Sequence, residues 1–384
     1  MLRCHTSHAR KLKGKWLLFA LLLCVPPCAI AQSPAARHAL RGLIDMGDIA
    51  FHNFDDGVPQ QTTTDPTAEL ARYPGSFGGL VLNVTWAQLQ PTQQTVVSRG
   101  NVIDTALAHI RAYNMKHPQS PLLVRLRVWP GINAPAWAKQ IGGPAIKIRR
   151  NSGANRDWVN VGRYWSPQYS AAWQRLQQQL AALYDSDPLI ASVTMASCAA
   201  QTTEPIVPTG DPESLRNLYA AGLNDAAMRS CLTHALDDYS AWKQTPIDWA
   251  FNPYSDKDAT QQTPPGDIKP DPAFTTSLMA GCRSRLGDRC ILTQMAINCP
   301  VEPKLSYIYD GMRKLGGPIS LETQAPSRIS GSWDAVVRQS IAFGAQSVEL
   351  WTERTGFTTK SPAEIARLAA WFATPGGGQT CPSQ

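Results

Sequence analysis

The feature that most constrains this 384-residue chain is a repeated alternation of short apolar segments with longer amphipathic ones. Eight segments have strand character, at 43–49, 80–85, 122–128, 190–196, 247–251, 291–297, 318–321 and 347–350. Between them, 102–113 and 171–184 carry helical periodicity. Val102, Ile103, Ala106, Leu107 and Ile110 share one face of the first, and Trp173, Leu176, Leu180 and Leu183 one face of the second. Strands alternating with amphipathic helices predict βα units and a parallel sheet.

The phase within each strand separates an open sheet from a closed one. Val124, Leu126 and Val128 alternate with Arg125, Arg127 and Trp129, and Ile247, Trp249 and Phe251 with Asp248, Ala250 and Asn252. Ile291, Thr293, Met295 and Ile297 alternate with Leu292, Gln294, Ala296 and Asn298. Ile319 and Leu321 alternate with Ser320 and Glu322, and Val348 and Leu350 with Ser347, Glu349 and Trp351. One apolar face suits surrounding helices; the other holds polar or aromatic groups. An open parallel sheet with helices on both sides is apolar throughout. The pattern therefore predicts an α/β fold, a single (β/α)8 TIM barrel over 32–384, with an interior that turns polar toward one end. An antiparallel sandwich with one wet face is the competing fold, disfavoured by the intervening helices.

Residues 1–31 read as a secretory signal peptide. Arg10, Lys11, Lys13 and Lys15 form a basic start, 16–25 is a short apolar run, and Ala29-Ile30-Ala31 supplies a small-x-small cleavage site before Gln32. Arg3 and these four residues carry much of the formal charge of +7, which falls to about +2 without them. That removes the main support for nucleic-acid binding. No later run is long enough to anchor the chain in a membrane, so a secreted or periplasmic protein is expected. Cys4, Cys24 and Cys28 leave with the signal; Cys198, Cys231, Cys282, Cys290, Cys299 and Cys381 remain. An even set in an oxidising compartment suggests disulfides. Cys282 and Cys290, bracketing a short loop, are the expected pair, and Cys198 with Cys231 a second candidate.

Barrel sites are built at the carboxyl ends of the strands. There the sequence places Trp86, then Trp129 and Trp137, then Glu204, Tyr254, Asn298, Glu322 and finally Trp351 with Glu353. Asp48, Asp55 and Asp56 follow the first strand. Aromatic rings stack on the C–H faces of sugars, while amides and carboxylates meet the hydroxyls, so the rim suits a carbohydrate. No glycine-rich phosphate loop or G-x-S-x-G elbow is present. His38, His52, His109, His117 and His234 lack metal-ligand spacing, and no metal or cofactor is expected.

Trp86-x-x-Leu89-Gln90-Pro91 resembles the Trp-x-x-Leu-Glu-Pro signature of family 42-type β-galactosidases and their relatives. Arg127-Val128-Trp129 followed by Pro135-Ala136-Trp137 resembles their third-strand segment. The resemblance implies a retaining glycoside hydrolase, with a general acid/base Glu after strand four and a nucleophilic Glu ending strand seven. By strand count these are Glu204 and Glu322, although Thr203 stands where that clan has Asn. Paired carboxyls fit the chemistry: one protonates the leaving oxygen, and the other faces the oxocarbenium ion. Trp86, Arg127, Trp129, Trp137, Tyr254, Asn298, Glu349 and Trp351 are the expected substrate contacts. Arg125 or Arg127 is the expected partner of Glu322, and Glu349 is a competing interior carboxylate. A non-catalytic carbohydrate-binding barrel, and a lyase or transglycosylase using the same cleft, are the rival functions.

Overall fold

The computed structural model describes residues 39–47, 65–150, 157–207, 211–256, 270–352 and 356–381. The signal segment, His38, His52, Asp48, Asp55, Asp56 and Glu353 lie outside the described residues.

The strands are β1 (Gly42–Asp45), β2 (Phe77–Thr85), β3 (Leu123–Trp129), β4 (Ile146–Arg149), β5 (Trp158–Val161), β6 (Ile190–Met195), β7 (Ile247–Ala250), β8 (Cys290–Ile297), β9 (Ile319–Thr323) and β10 (Ser347–Leu350). All except β4 and β5 close into one parallel barrel, in the order β1-β2-β3-β6-β7-β8-β9-β10 and back to β1. Each barrel strand falls on a segment read from the sequence. The unanticipated pair, β4 and β5, forms an antiparallel hairpin.

The helices start where a capping side chain meets a preset backbone. Ser166-Pro167, Asp211-Pro212, Asp271-Pro272 and Ser361-Pro362 each put an oxygen on an otherwise unpaired backbone N–H, with proline at the first helical position. Helix Val102–Lys116 begins on Asn101, which accepts from the Ile103 N–H at 2.8 Å. The outward rows of the strands, including Val124, Leu126, Val128, Ile247, Trp249, Leu321 and Val348, pack with Ile103, Leu107, Leu176 and Leu180 of the helices in one apolar layer. Truncating a wholly buried member such as Leu126 to Ala costs about 2–5 kcal/mol.

The inside of the barrel changes character along its axis. Leu40, Ile44, Val81 and Ala191 form a small apolar plug with Leu123 at the start of β3. Beyond it come Arg125, Ser192, Asp248, Ser320 and Ser347, all fully buried, and then Arg127, Glu322 and Glu349. The phase read for β8 needs correction. Leu292 and Ile297 both pack outward, whereas the Thr293 hydroxyl donates to Asp248. A register shift between Gln294 and Ile297 inverts the alternation partway along the strand.

Candidate active site

Two arginines and three carboxylates fill the polar half of the barrel. Arg125 bonds Ser192 and Ser320 at 3.2 and 3.0 Å, pairs with Asp248 at 3.1 Å, and donates to Glu349. Arg127 Nη2 lies 2.7 Å from Glu349 Oε2, while its Nη1 is 3.5 Å from Glu322 Oε2. Arg127, not Arg125, is thus the cation facing Glu322. Three acids against two bases cannot all ionise in a dry interior at low cost. Burial pushes the Glu322 carboxyl well up, and the charge of Glu349 adds to it. Burial also opposes ionisation of Glu349, but Arg127 and Arg125 outweigh it and hold that carboxyl below its ordinary value. Asp248 is pushed up by burial against the pull of Arg125. Of the pair, Glu349 is the carboxyl held toward its anion by the arginines, and Glu322 the one whose proton is harder to remove. Glu322 Oε2 and Arg127 Nε are both buried and receive no hydrogen-bond partner among the described residues.

Glu204 comes from the loop after β6, and several contacts fold that loop over the barrel. Cys198, in a left-handed conformation at φ 63°, bonds to Cys231 of helix Asp225–His234. The Ile132 N–H donates to the Ala200 carbonyl at 2.8 Å. Gly131 is required for that approach, since a Cβ there would lie 2.0 Å from the same carbonyl oxygen. Gln201 donates to the Arg149 carbonyl at 2.9 Å, which gives the β4–β5 hairpin a role in support. Asn252, just beyond β7, donates to Glu204 Oε1 at 2.7 Å. Burial pushes the Glu204 carboxyl up, against this hydrogen bond and the positive charge of Arg127. Glu204 in turn contributes to the upward push on Glu322. The two carboxyls therefore act on each other, and Arg127 acts on both.

Two indoles flank this centre. The Trp129 Nε1–H donates to Asn83 at 2.9 Å, and Asn83 donates to the Met46 carbonyl at 2.8 Å. Trp129, Met46 and the half-buried Trp351 pack together, and the Trp351 indole donates to the carbonyl of Thr323, next to Glu322. Arg127 and Glu349 thus adjoin Glu322, Trp351 bonds the residue after it, and Trp129 packs with Met46 and Trp351.

Other expected contacts are displaced. Trp86 is wholly buried, its ring edge-on to Trp137, Tyr169 and Trp173 and its N–H on Gln90. It is core packing and has no face for a ligand. Trp137 is half-buried against that cluster and donates to the Gln90 carbonyl. Tyr254 gives its hydroxyl to Asp225 and sits edge-on to Phe274 beside Arg229. Asn298 spends its side chain on the Ser330 N–H and the Arg328 carbonyl, fixing the loop after β9. Asp248, Asn252 and Asn83 are the contributors that sequence reasoning did not single out. Asp248, an acid between Ile247 and Trp249 in an apolar strand, and Asn252, in the same inward phase at the strand's end, are legible signals; Asn83 carries none. Cys282–Cys290 and Cys198–Cys231 are bonded as expected, and Cys299–Cys381 is a third bridge.

No known family matches the sequence, and no curated protein matches it either. Solved structures do. An endo-glycoceramidase II from Rhodococcus sp. is 15% identical with a TM-score of 0.47, over 83% of this chain and 75% of that one. A β-galactosidase from Rahnella sp. R3 is 13% identical with a TM-score of 0.49, over 88% of this chain and 57% of that one. A β-galactosidase from Bacillus circulans sp. alkalophilus is 12% identical with a TM-score of 0.50, over 87% of this chain and 56% of that one. The chain spans little more than half the length of the β-galactosidases it matches. At these identities the likeness speaks to architecture alone, and the closed parallel barrel gives that architecture directly: a (β/α)8 barrel.

Proposed function

We propose that the protein is an exported glycoside hydrolase that cleaves an oligo- or polysaccharide with retention, using Glu204 as acid/base and Glu322 as nucleophile. The observation that carries this reading is a pair of glutamates that influence each other's ionisation at the polar end of the barrel: the buried Glu322, 3.5 Å from Arg127, and Glu204, held by Asn252 at 2.7 Å on the loop after β6.

The chemistry follows from the charges. Burial pushes the Glu204 carboxyl up, which favours the protonated form that gives its proton to the glycosidic oxygen as the C1–O bond breaks. The oxocarbenium ion developing at C1 favours the ionised form of Glu322, opposing the effect of Glu349. Glu322 attacks as the carboxylate, its own proton having passed to solvent before the sugar closes the site, and forms the C1–O bond of a covalent intermediate as the leaving oxygen departs with the proton from Glu204. Glu204, now an anion, takes a proton from the water that attacks C1 and returns Glu322. Glu349 and Asp248 neutralise the arginines and hold Arg127 in place. Three disulfides, and the leader pattern of 1–31, support a secreted or periplasmic location.

The test is a panel of aryl glycosides and polysaccharides offered to the protein beginning at Gln32. Turnover with retained anomeric configuration is expected for one sugar class. Sugar binding without turnover marks a non-catalytic barrel and overturns the proposal. Elimination to an unsaturated product, or transfer to a second sugar, marks the other rivals.

A further inference from the structure

The Asn252 amide that holds Glu204 is itself held, and the chain of contacts runs back into β8. Asn252 Nδ2 donates to Glu204 Oε1 at 2.7 Å, and Asn252 Oδ1 accepts from Gln294 Nε2 at 3.5 Å. Gln294 is wholly buried. Its Oε1 accepts from the Ala296 N–H at 2.8 Å and from the Tyr309 hydroxyl at 2.6 Å. Ala296 lies inside the register shift of β8, and Tyr309, on helix Ser306–Leu315, stacks on Phe343. Thr275 donates to the Asn252 carbonyl at 3.3 Å and restrains the backbone there.

A side-chain amide has a donor end and an acceptor end, so a chain of amides has a direction. A backbone N–H can only donate. Ala296 therefore draws the Gln294 oxygen to its own side and leaves the Gln294 NH2 facing Asn252. Asn252 presents its oxygen in return, which aims its own NH2 at Glu204. Turned over, Asn252 would set donor against donor at Gln294 and oxygen against oxygen at an ionised Glu204.

We propose that Gln294 is a positioning residue that keeps Asn252 a donor to Glu204 whether Glu204 is charged or neutral. Oε1 then accepts in both states, and the proton of the neutral acid resides on Oε2, where it is free for the glycosidic oxygen. That last role rests on the glycosidase reading. Without Gln294, the Asn252 amide can turn and offer its oxygen to the neutral carboxyl, which stabilises the protonated form and engages its proton.

The test is Gln294→Met, which keeps the length of the side chain and removes its amide. The other charged or titratable groups acting with Glu204 are Arg127 of β3, Arg328 beyond β9, Glu322 of β9 and Tyr309, whose hydroxyl burial pushes well up; the substitution alters none of them. The basic limb of kcat/KM should rise by about one pH unit, and alkyl glycosides should slow more than nitrophenyl ones. Asn252→Leu should raise the limb as well, and adding Gln294→Met to it should raise it no further. Additive shifts would mean that Gln294 does not act through Asn252, and would overturn the inference. Carboxyl-labelled glutamate, titrated by carbon NMR, reads Glu204 without catalysis; its signal is the one missing from Glu204→Gln. A limb and a titration that both stay in place overturn the inference and leave the glycosidase reading of an active enzyme standing. A titration that rises in a protein without turnover supports the positioning of Glu204 and overturns the glycosidase reading. If Gln294→Met does not fold, the Asn252 side-chain amide of the parent protein decides. It should resist hydrogen exchange on both sides of the Glu204 titration; protection only above it would show that the amide turns over, and would overturn the inference.

Discussion

Glu322 and Glu349 are register partners on β9 and β10, yet only Glu349 is neutralised. Arg127 approaches Glu349 at 2.7 Å and Glu322 no closer than 3.5 Å, and Arg125 adds a further contact to Glu349. Replacing Glu349 with Gln removes the opposing anion and frees Arg127 for Glu322. Both changes lower the Glu322 pKa. The acid limb of the kcat/KM profile should therefore move to lower pH, while the uncompensated arginines cost about 3–5 kcal/mol of stability. A pH profile and a denaturant melt check the two effects. An acid limb that stays in place contradicts the account.

Asp238 reports on the same end of the barrel through stability. Burial pushes its carboxyl up to about 6, against hydrogen bonds donated by Ser197 at 2.6 Å and Ser170 at 2.7 Å. A carboxyl raised in the folded state keeps its proton longer there than when unfolded. Stability is therefore lost as pH rises from about 4 to 6, and the deficit persists above that; the loss is about 3 kcal/mol. Asp238→Asn cannot ionise. Its Tm should exceed the parent's at pH 7.5, and the gap should close toward pH 4. A constant gap across that range would show that Asp238 is not the titrating group.

The disulfides separate loop restraint from general stability. Cys198–Cys231 joins residues 33 apart and restrains the Glu204 loop, and its chain-entropy contribution is about 4 kcal/mol. Cys282–Cys290 spans 8 and touches none of the site, for about 2.5 kcal/mol. The Cys198→Ala/Cys231→Ala variant should lose both Tm and kcat; Cys282→Ala/Cys290→Ala should lose less Tm and keep kcat/KM. Equal kinetic effects would detach the first bridge from Glu204.

Glu204→Ala removes a proton donor and should therefore discriminate by leaving group. Alkyl glycosides should lose about 10²–10⁴ in kcat/KM, and nitrophenyl glycosides far less in the first step. Azide, attacking the intermediate without a base, should restore part of the turnover. Uniform losses would take Glu204 out of proton transfer.

The barrel was legible because each strand carries an outward apolar row: Val124, Leu126 and Val128 in β3 announce both strand and phase. β8 misled because Leu292 and Ile297 both face outward, an odd spacing that only its register shift explains. β4 and β5 escaped notice as four-residue strands whose alternation, Ile146 with Ile148 and Val159 with Val161, is too brief to stand out. Trp86 misled for another reason. Its motif matched a family signature, but Trp86 and Gln90 one turn apart bond to each other, and the ring faces the helices. The link from Asn252 to Glu204 joins residues 48 apart, and nothing local encodes it. Charge balance was readable only in part: Arg125, Arg127, Glu322 and Glu349 could be assigned inward, but which acid keeps the proton depends on distances the chain reveals only when folded.

The central claim is that Glu322 attacks C1. A 2-fluoro glycoside of the preferred sugar, with an activated leaving group, slows the second step because fluorine destabilises the oxocarbenium ion. Its adduct with the protein can be weighed intact and located by peptide mapping. One glycosyl unit per chain is expected, on Glu322, and none on Glu322→Gln. An adduct on Glu349, or rapid hydrolysis with inversion and no adduct, would contradict it.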